Sequence, residues 1–472
     1  MSPRLAAPPR RRRVHRPAPG GAQQALTEGM VDRLLWRTGF GPTASARKAY
    51  AGMTLHKAVD RLMARPQGAL AGPAPLRADG SQLQPLTSDT DLVLVWCDRM
   101  LKTGNPLVER LTFFWHRHFA TSRADVSPPQ LMVNQNDLLR RYADLAANPT
   151  ASFRTLTYEV GEGPAMLRYL TGEDSTKKAI NENYGRELME LFTLGVTNAA
   201  GQPNYSEVDV REAARAASGW QIDDENPDAA IGYFNRSRWD DGPKTLLGKT
   251  APLDHRGLVD TVLAHPAHAP YLVTKLWNEF IPTAPDPATL RDLTRVYLRT
   301  GLQIKPLVRR ILTHPRMLDS IREPNMIKPP IVQAIGTMKA LGLWITDDSL
   351  YNALRDMGQL PYFPPTVAGW EGGLSWLNTN TALSRFALAN RLLTLSYAPL
   401  PNKSPEDVPT ETPAQAVQRA RAAVGQPWLA PKTTSSLMYY ASTTRAVSAN
   451  DRIARQRALR AFMLGGPDAQ VM

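Results

Sequence analysis

Glu187 and Glu190, one helical turn apart with an arginine and an asparagine close by, are the side chains of this sequence whose types and spacing point most directly to chemistry. They stand in Asn183-Tyr184-Gly185-Arg186-Glu187-Leu188-Met189-Glu190-Leu191. On a helical wheel Asn183, Glu187 and Glu190 share one side with Arg186 beside them, while Ile180, Tyr184, Leu188, Leu191 and Phe192 fill the other. Glu182, Arg186 and Glu190 recur every four residues, which a surface ion ladder worth about a few tenths of a kcal/mol per pair would explain. Glu187 and Asn183 lie at the apolar border, where partial desolvation raises a carboxyl pKa and suits it to accept a proton. The same two carboxylates could bind a hard divalent cation. They could also be structural ions, since ion networks perturb carboxylates just as readily.

Two histidines stand in Phe114-Trp115-His116-Arg117-His118-Phe119. Helical spacing puts His118 on the stripe of Leu107, Leu111 and Phe114, and His116 on the opposite side with Glu109 and Thr112. His118 thus reads first as a buried imidazole held by a carbonyl or carboxylate, and second as a catalytic or metal-binding group. His116 reads as a surface residue; only an extended chain would turn both rings to one face and let them share a metal. Trp220 follows Gly219, while Trp370 and Trp376 flank Gly372-Gly373. A tryptophan beside glycine commonly packs over bare backbone, and otherwise offers a platform to a sugar or aromatic ligand. The candidate catalytic residues are therefore Glu187, Glu190, His118, Asn183 and Arg186, and the candidate ligand contacts Trp220, Trp370, Trp376 and His116. No phosphate loop, GxGxxG, HExxH or GxSxG is present.

The elements that must position these residues read as helices nearly throughout. Thr38-Gly39-Phe40-Gly41 stops a first helix, and Asn105-Pro106 caps the one that carries the histidines. Ser206-Glu207-Val208-Asp209 opens another as a capping box ending at Gly219, which explains Asp209 by capping alone. Lys328-Pro329-Pro330 starts a helix running to Gly342, and Asn380 to Leu393 forms a further long one. Arg452, Arg455 and Arg457 read as a solvated charged face. Gln221-Ile222 and Ile231-Gly232-Tyr233-Phe234, around Asp223 to Pro227, suggest a short hairpin near 220–240. The fold expected is all-α with that one β excursion. A basic leader spans 1–25, the main helical domain 26–400, a proline-rich linker 401–413, and a helical section packed on the body 414–472.

Composition bounds the function. Apolar residues at 43% and charged ones at 21% exclude global disorder, and no apolar run is long enough to span a membrane. One cysteine, Cys97, excludes multi-cysteine metal sites. The net charge of +13 is concentrated at the two ends, leaving the middle near neutral, so no specific nucleic-acid surface is expected. The arginines of the leader are followed by a polar, Pro/Gly-rich stretch rather than the apolar segment of an export signal, which predicts a cytoplasmic protein.

Three blocks in this order carry a family resemblance: Phe114 to Phe119; Asn181 to Leu191 with Gly195, Tyr205, Asp209 and Gly219-Trp220; and Gly358-Gln359 through Pro364-Pro365-Thr366-Val367-Ala368-Gly369-Trp370. The sequence resembles the bacterial domain-of-unknown-function 1800 family over nearly all of its length after the leader. The resemblance implies no activity. It does imply a gene neighbour, a sulfatase-like partner protein, and frequent export, from which the leader departs. Two functions stay open: a hydrolase- or lyase-like enzyme with Glu187 as base, a histidine as partner and a cleft where the blocks meet, with or without a divalent cation; or a non-catalytic helical scaffold that binds a partner protein.

Overall fold

A computed structural model describes residues 24–77, 79–229, 231–319, 324–396 and 407–472. The basic leader, but for its last two residues, and the first half of the proline-rich linker lie outside the described residues. Those described form twenty α-helices and only two small antiparallel sheets, so the chain is mostly helical with a short hairpin. None of these helices is long and apolar enough to cross a membrane.

Local signals set the helix boundaries. Asn105 accepts a hydrogen bond from Leu107 N (3.2 Å) and Pro106 opens the Pro106–His118 helix. Ser206 and Asp209 form a reciprocal capping box at the start of Glu207–Ala217. The helix after Lys328 runs Pro330–Leu341 and stops at Gly342. The hairpin pairs Trp220 with Phe234 and Gln221 with Tyr233, and a second pairs Lys244–Leu246 with Lys249–Ala251.

The apolar side chains gather in two cores. Leu111, Phe114, Trp115, Phe153, Leu188, Phe192, Trp277 and Tyr297 belong to the first. Trp96, Phe113, Ile335, Tyr362, Trp370, Leu392 and Leu459 belong to the second. The Pro106–His118 helix lies between them, and its two sides are buried alike. The side read from the sequence as surface, with Glu109, Thr112 and His116, is in fact interior. Near the chain's end the Ala449–Gly465 helix packs on Thr379–Ser396. Arg455, read as solvated, is buried there and donates to Glu411 (2.8 Å) and to Ala441 O. Ile327 and Val471 form an antiparallel bridge that ties the last residues to the middle of the chain.

Candidate functional site

The Asn183–Glu187 α-helix continues as a π-helix over Leu188–Thr193, where spacing alone predicts one regular helix. A π segment widens the turn, and such segments concentrate at functional positions. It ends with Leu194 N and Gly195 N both donating to Met189 O, so the carbonyls after it turn to side chains. Leu191 O accepts from Tyr271 Oη (2.7 Å) and Lys275 Nζ (2.8 Å), and Phe192 O from His118 Nε2 (3.0 Å). Thr193 O accepts from His268 Nδ1 (3.1 Å), and Leu194 O and Gly195 O from Asn204 Nδ2. Donors at a helix C-terminus satisfy its orphan carbonyls and its negative dipole end.

His118 is thus held by a carbonyl. Because a carbonyl only accepts, Nε2 carries the proton, and Nδ1 is left without a partner. Phe114, Trp115, Phe119, Phe153 and Phe192 surround the ring. Burial, with Lys275 nearby, holds its pKa well below the ordinary value, and the ring is neutral. Burial and then Arg117 push the Lys275 amine down to about 8.

Glu187 stands at the other end of the π-helix, immediately before it begins. It is half-buried and, among the described residues, has neither a hydrogen bond nor an ion pair. Burial first, then the neighbouring Glu190, raises its carboxyl above the ordinary range, with Arg186 opposing. Arg186 itself is engaged by Glu207 (2.8 Å) and Glu182 (3.2 Å). Two other described carboxylates are raised, and both are paired: Asp32 with Arg47 and Asp98 with Lys102. Glu190 accepts from Tyr205 Oη (3.1 Å). Glu187 and Asp125 both help burial raise the Tyr169 hydroxyl, which places a phenol within electrostatic reach of the carboxylate. Asn183 and Asn181 donate to Thr171 Oγ1 at 3.3 and 2.6 Å. The structure therefore brings Glu187, Glu190, Arg186 and Asn183 together on one helix. No hydrogen bond or ion pair joins Glu187 to His118, and none joins it to Trp370 or Trp376.

A second polar group, one the sequence reading missed, hangs from the same helix. Tyr184 Oη lies 2.9 Å from His255 Nε2, His255 Nδ1 lies 3.3 Å from Glu162 Oε1, and Arg256 clamps both Glu162 oxygens at 2.8 and 3.0 Å. Burial works to raise the Glu162 carboxyl, but Arg256 and His255 outweigh it and hold the group at about 2. Gly161 permits the approach: a Cβ there would meet Tyr184 Oη at 2.1 Å and His255 Nε2 at 2.4 Å. The half-buried ring of Trp220 lies edge-on to His255. The cavity beside Tyr184 and His255, lined also by Ser175 and Asn181, has room for about one water, so this relay holds the helix in place and offers no substrate site.

The remaining candidates are interior packing. His116 Nε2 accepts from Tyr362 N (3.1 Å), and burial pushes its pKa down to about 3. Trp370 stacks on Phe113 and, like Trp376, is buried, so neither ring presents a face to a ligand. Gly369 and Gly372 lie against the stem and guanidinium of Arg117, which has no ion-pair partner among the described residues. The three sequence blocks meet around the Pro106–His118 helix, with His118 touching the π-helix and His116 the Trp370 loop. Among the described residues no group of three or more His, Cys, Asp or Glu side chains converges as a metal site.

A family model described as "Protein of unknown function (DUF1800)" matches residues 33–471, and the chain belongs to that family. No curated protein and no solved structure matches it.

Proposed function

We propose that this DUF1800 chain is an acid–base enzyme of hydrolase or lyase type in which Glu187 accepts the proton. The observation that supports it is the state of Glu187: a partly desolvated carboxylate, raised by burial and by Glu190, with no cation or donor committed to it. Such a group takes a proton more readily than an ordinary carboxylate and, unlike Asp32 and Asp98, has no cation to release first. Glu190, with its hydrogen bond from Tyr205, sustains that basicity by repelling the Glu187 charge. Tyr169 and Tyr205 both lie within electrostatic reach of Glu187 and are the candidate proton donors. His118 is a positioning residue: it fixes the π-helix through Phe192 O and takes no proton itself.

The test combines turnover with titration. A panel of chromogenic esters, glycosides and sulfate esters is screened with wild type and Glu187→Gln, and the Glu187 carboxyl is titrated by carbon-13 NMR. Loss of about 10²–10⁴-fold in turnover with the fold intact is expected, as for a general base. A carboxyl titrating in the ordinary glutamate range, or turnover that survives Glu187→Gln, overturns the assignment.

The partner-binding reading has its own observation. Leu374 is 81% exposed and Leu383 68%, with Leu377 also exposed, so apolar side chains face solvent near the Trp370 loop. A sulfatase-like protein is the partner proposed. If Leu374→Ser with Leu383→Ser abolishes its capture while Glu187→Gln changes nothing, the scaffold reading replaces the enzyme.

A further inference from the structure

Far along the chain from Glu187, the Glu28–Arg37 helix, the Pro330–Leu341 helix and the residues after Arg421 enclose a cavity of about 450 Å³. That volume lies within the range of small-molecule sites. Its walls are mixed: Trp36, Trp428, Met463 and Leu464 supply apolar surface, and Lys328 and Arg421 supply positive charge.

The charges are unequally committed. The acidic groups of the lining are engaged: Asp32 holds Arg47 (2.7 and 2.9 Å), Asp468 accepts from Ala430 N (2.6 Å), and Glu28 lies 3.8 Å from Arg47 at the solvent edge. Lys328 is buried and, among the described residues, has no carboxylate within ion-pair distance. Its ammonium donates to Ala469 O (2.8 Å) and lies 3.9 Å from the centre of the Trp36 ring, which leaves one of its three protons uncommitted. The ring is pressed against Gly336, where a Cβ would come within 2.5 Å of it. Arg421 donates only its Nε, to Pro427 O, and its two terminal nitrogens are uncommitted. Burial first, then Arg385, push the Lys328 amine down to about 7 against the opposing pull of Asp468, whose one hydrogen bond among the described residues is from Ala430 N.

We propose that this cavity is a binding site for a small organic oxyanion, a carboxylate or phosphate on an apolar or aromatic body. The oxyanion is received by the free Lys328 proton and the Arg421 fork, which suits planar oxyanions, while Trp428, Met463 and Leu464 cover the body. The site is separate from Glu187 and does not depend on that residue's role.

Calorimetry on the full chain with benzoate, phenyl phosphate, benzyl alcohol and benzamidine tests it. A second readout maps reductive methylation of lysines by mass spectrometry with and without each compound. Binding of benzoate or phenyl phosphate, protection of Lys328 from methylation, and no binding of the neutral and cationic analogues are expected; which anion binds tighter identifies the headgroup. Arg421→Gln, at a half-buried position that does not threaten the fold, should weaken the anion at least 10-fold, and Lys328→Met should abolish binding if it folds. Benzyl alcohol binding as tightly as the anions, neither anion binding, or an anion whose affinity is unchanged by Arg421→Gln and which leaves Lys328 unprotected from methylation would overturn the proposal.

Discussion

Glu109 is buried more deeply than Glu187, yet the deeper carboxylate is the better partnered one. Glu109 is 0% exposed and is surrounded by donors: Arg140 Nε at 2.9 Å, Trp96 Nε1 at 2.8 Å, and the Gln67 amide. Its desolvation is offset on every side. Glu187 keeps partial contact with water and receives nothing, so its charge is opposed by its surroundings. Glu162 is likewise partnered, with Arg256 clamping both oxygens. Burial alone therefore does not mark a chemical group in this fold. A charge left without its complement does, and by that criterion Glu187 and Lys328 stand apart from the saturated pairs.

The comparison is broken most directly at Glu109. Glu109→Ala takes the buried carboxylate from Arg140, which keeps only Asp137 and Asn136, and from Trp96 Nε1, and should cost about 3–5 kcal/mol in urea unfolding; a loss below about 1 kcal/mol would show that Glu109 is not held as described. Glu162 sharpens the contrast through pH. Its folded pKa lies below the unfolded value, so its stabilisation is full above the ordinary glutamate range and is lost as pH falls toward about 2. Glu162→Gln should then cost about 2–3 kcal/mol at pH 7, with the gap to wild type closing between about pH 4 and 2. A gap that stays constant in acid would remove the Arg256 clamp from the account. Glu187 should give the smallest effect, of opposite sign. Its folded pKa is raised, so stability is full below the unfolded value and falls as pH rises through the folded one. Glu187→Gln should raise stability at pH 7 by up to about 1 kcal/mol, and the two proteins should converge in acid. Destabilisation at pH 7 would mean that the carboxylate has a structural partner.

Much of the fold was legible because its signals are local. Asn105-Pro106 and Ser206 with Asp209 act within three residues, and both mark the helix starts found. The wheel also placed His118 on its apolar stripe and separated it from His116. What it could not show is that a helix between two cores is buried all round, which is why Glu109, Thr112 and His116 were read as surface. The widening after Glu187 has no local signature, since it depends on Tyr271, Lys275, His118 and His268 arriving from other helices to take up carbonyls. Tyr184, His255 and Glu162 were equally invisible: the contacts span 71 and 93 residues, and His255 after Asp254 reads merely as a helix start.

The Pro106–His118 helix has one further consequence. Phe113 and Phe114 are adjacent in the chain, yet one faces the second core and the other the first. The helix is a party wall. Neither half of the molecule can be excised as a free-standing piece, because each would take away a face that the other needs covered. A disturbance on either side is felt across a thickness of one helix, and the two cores keep or lose their order together.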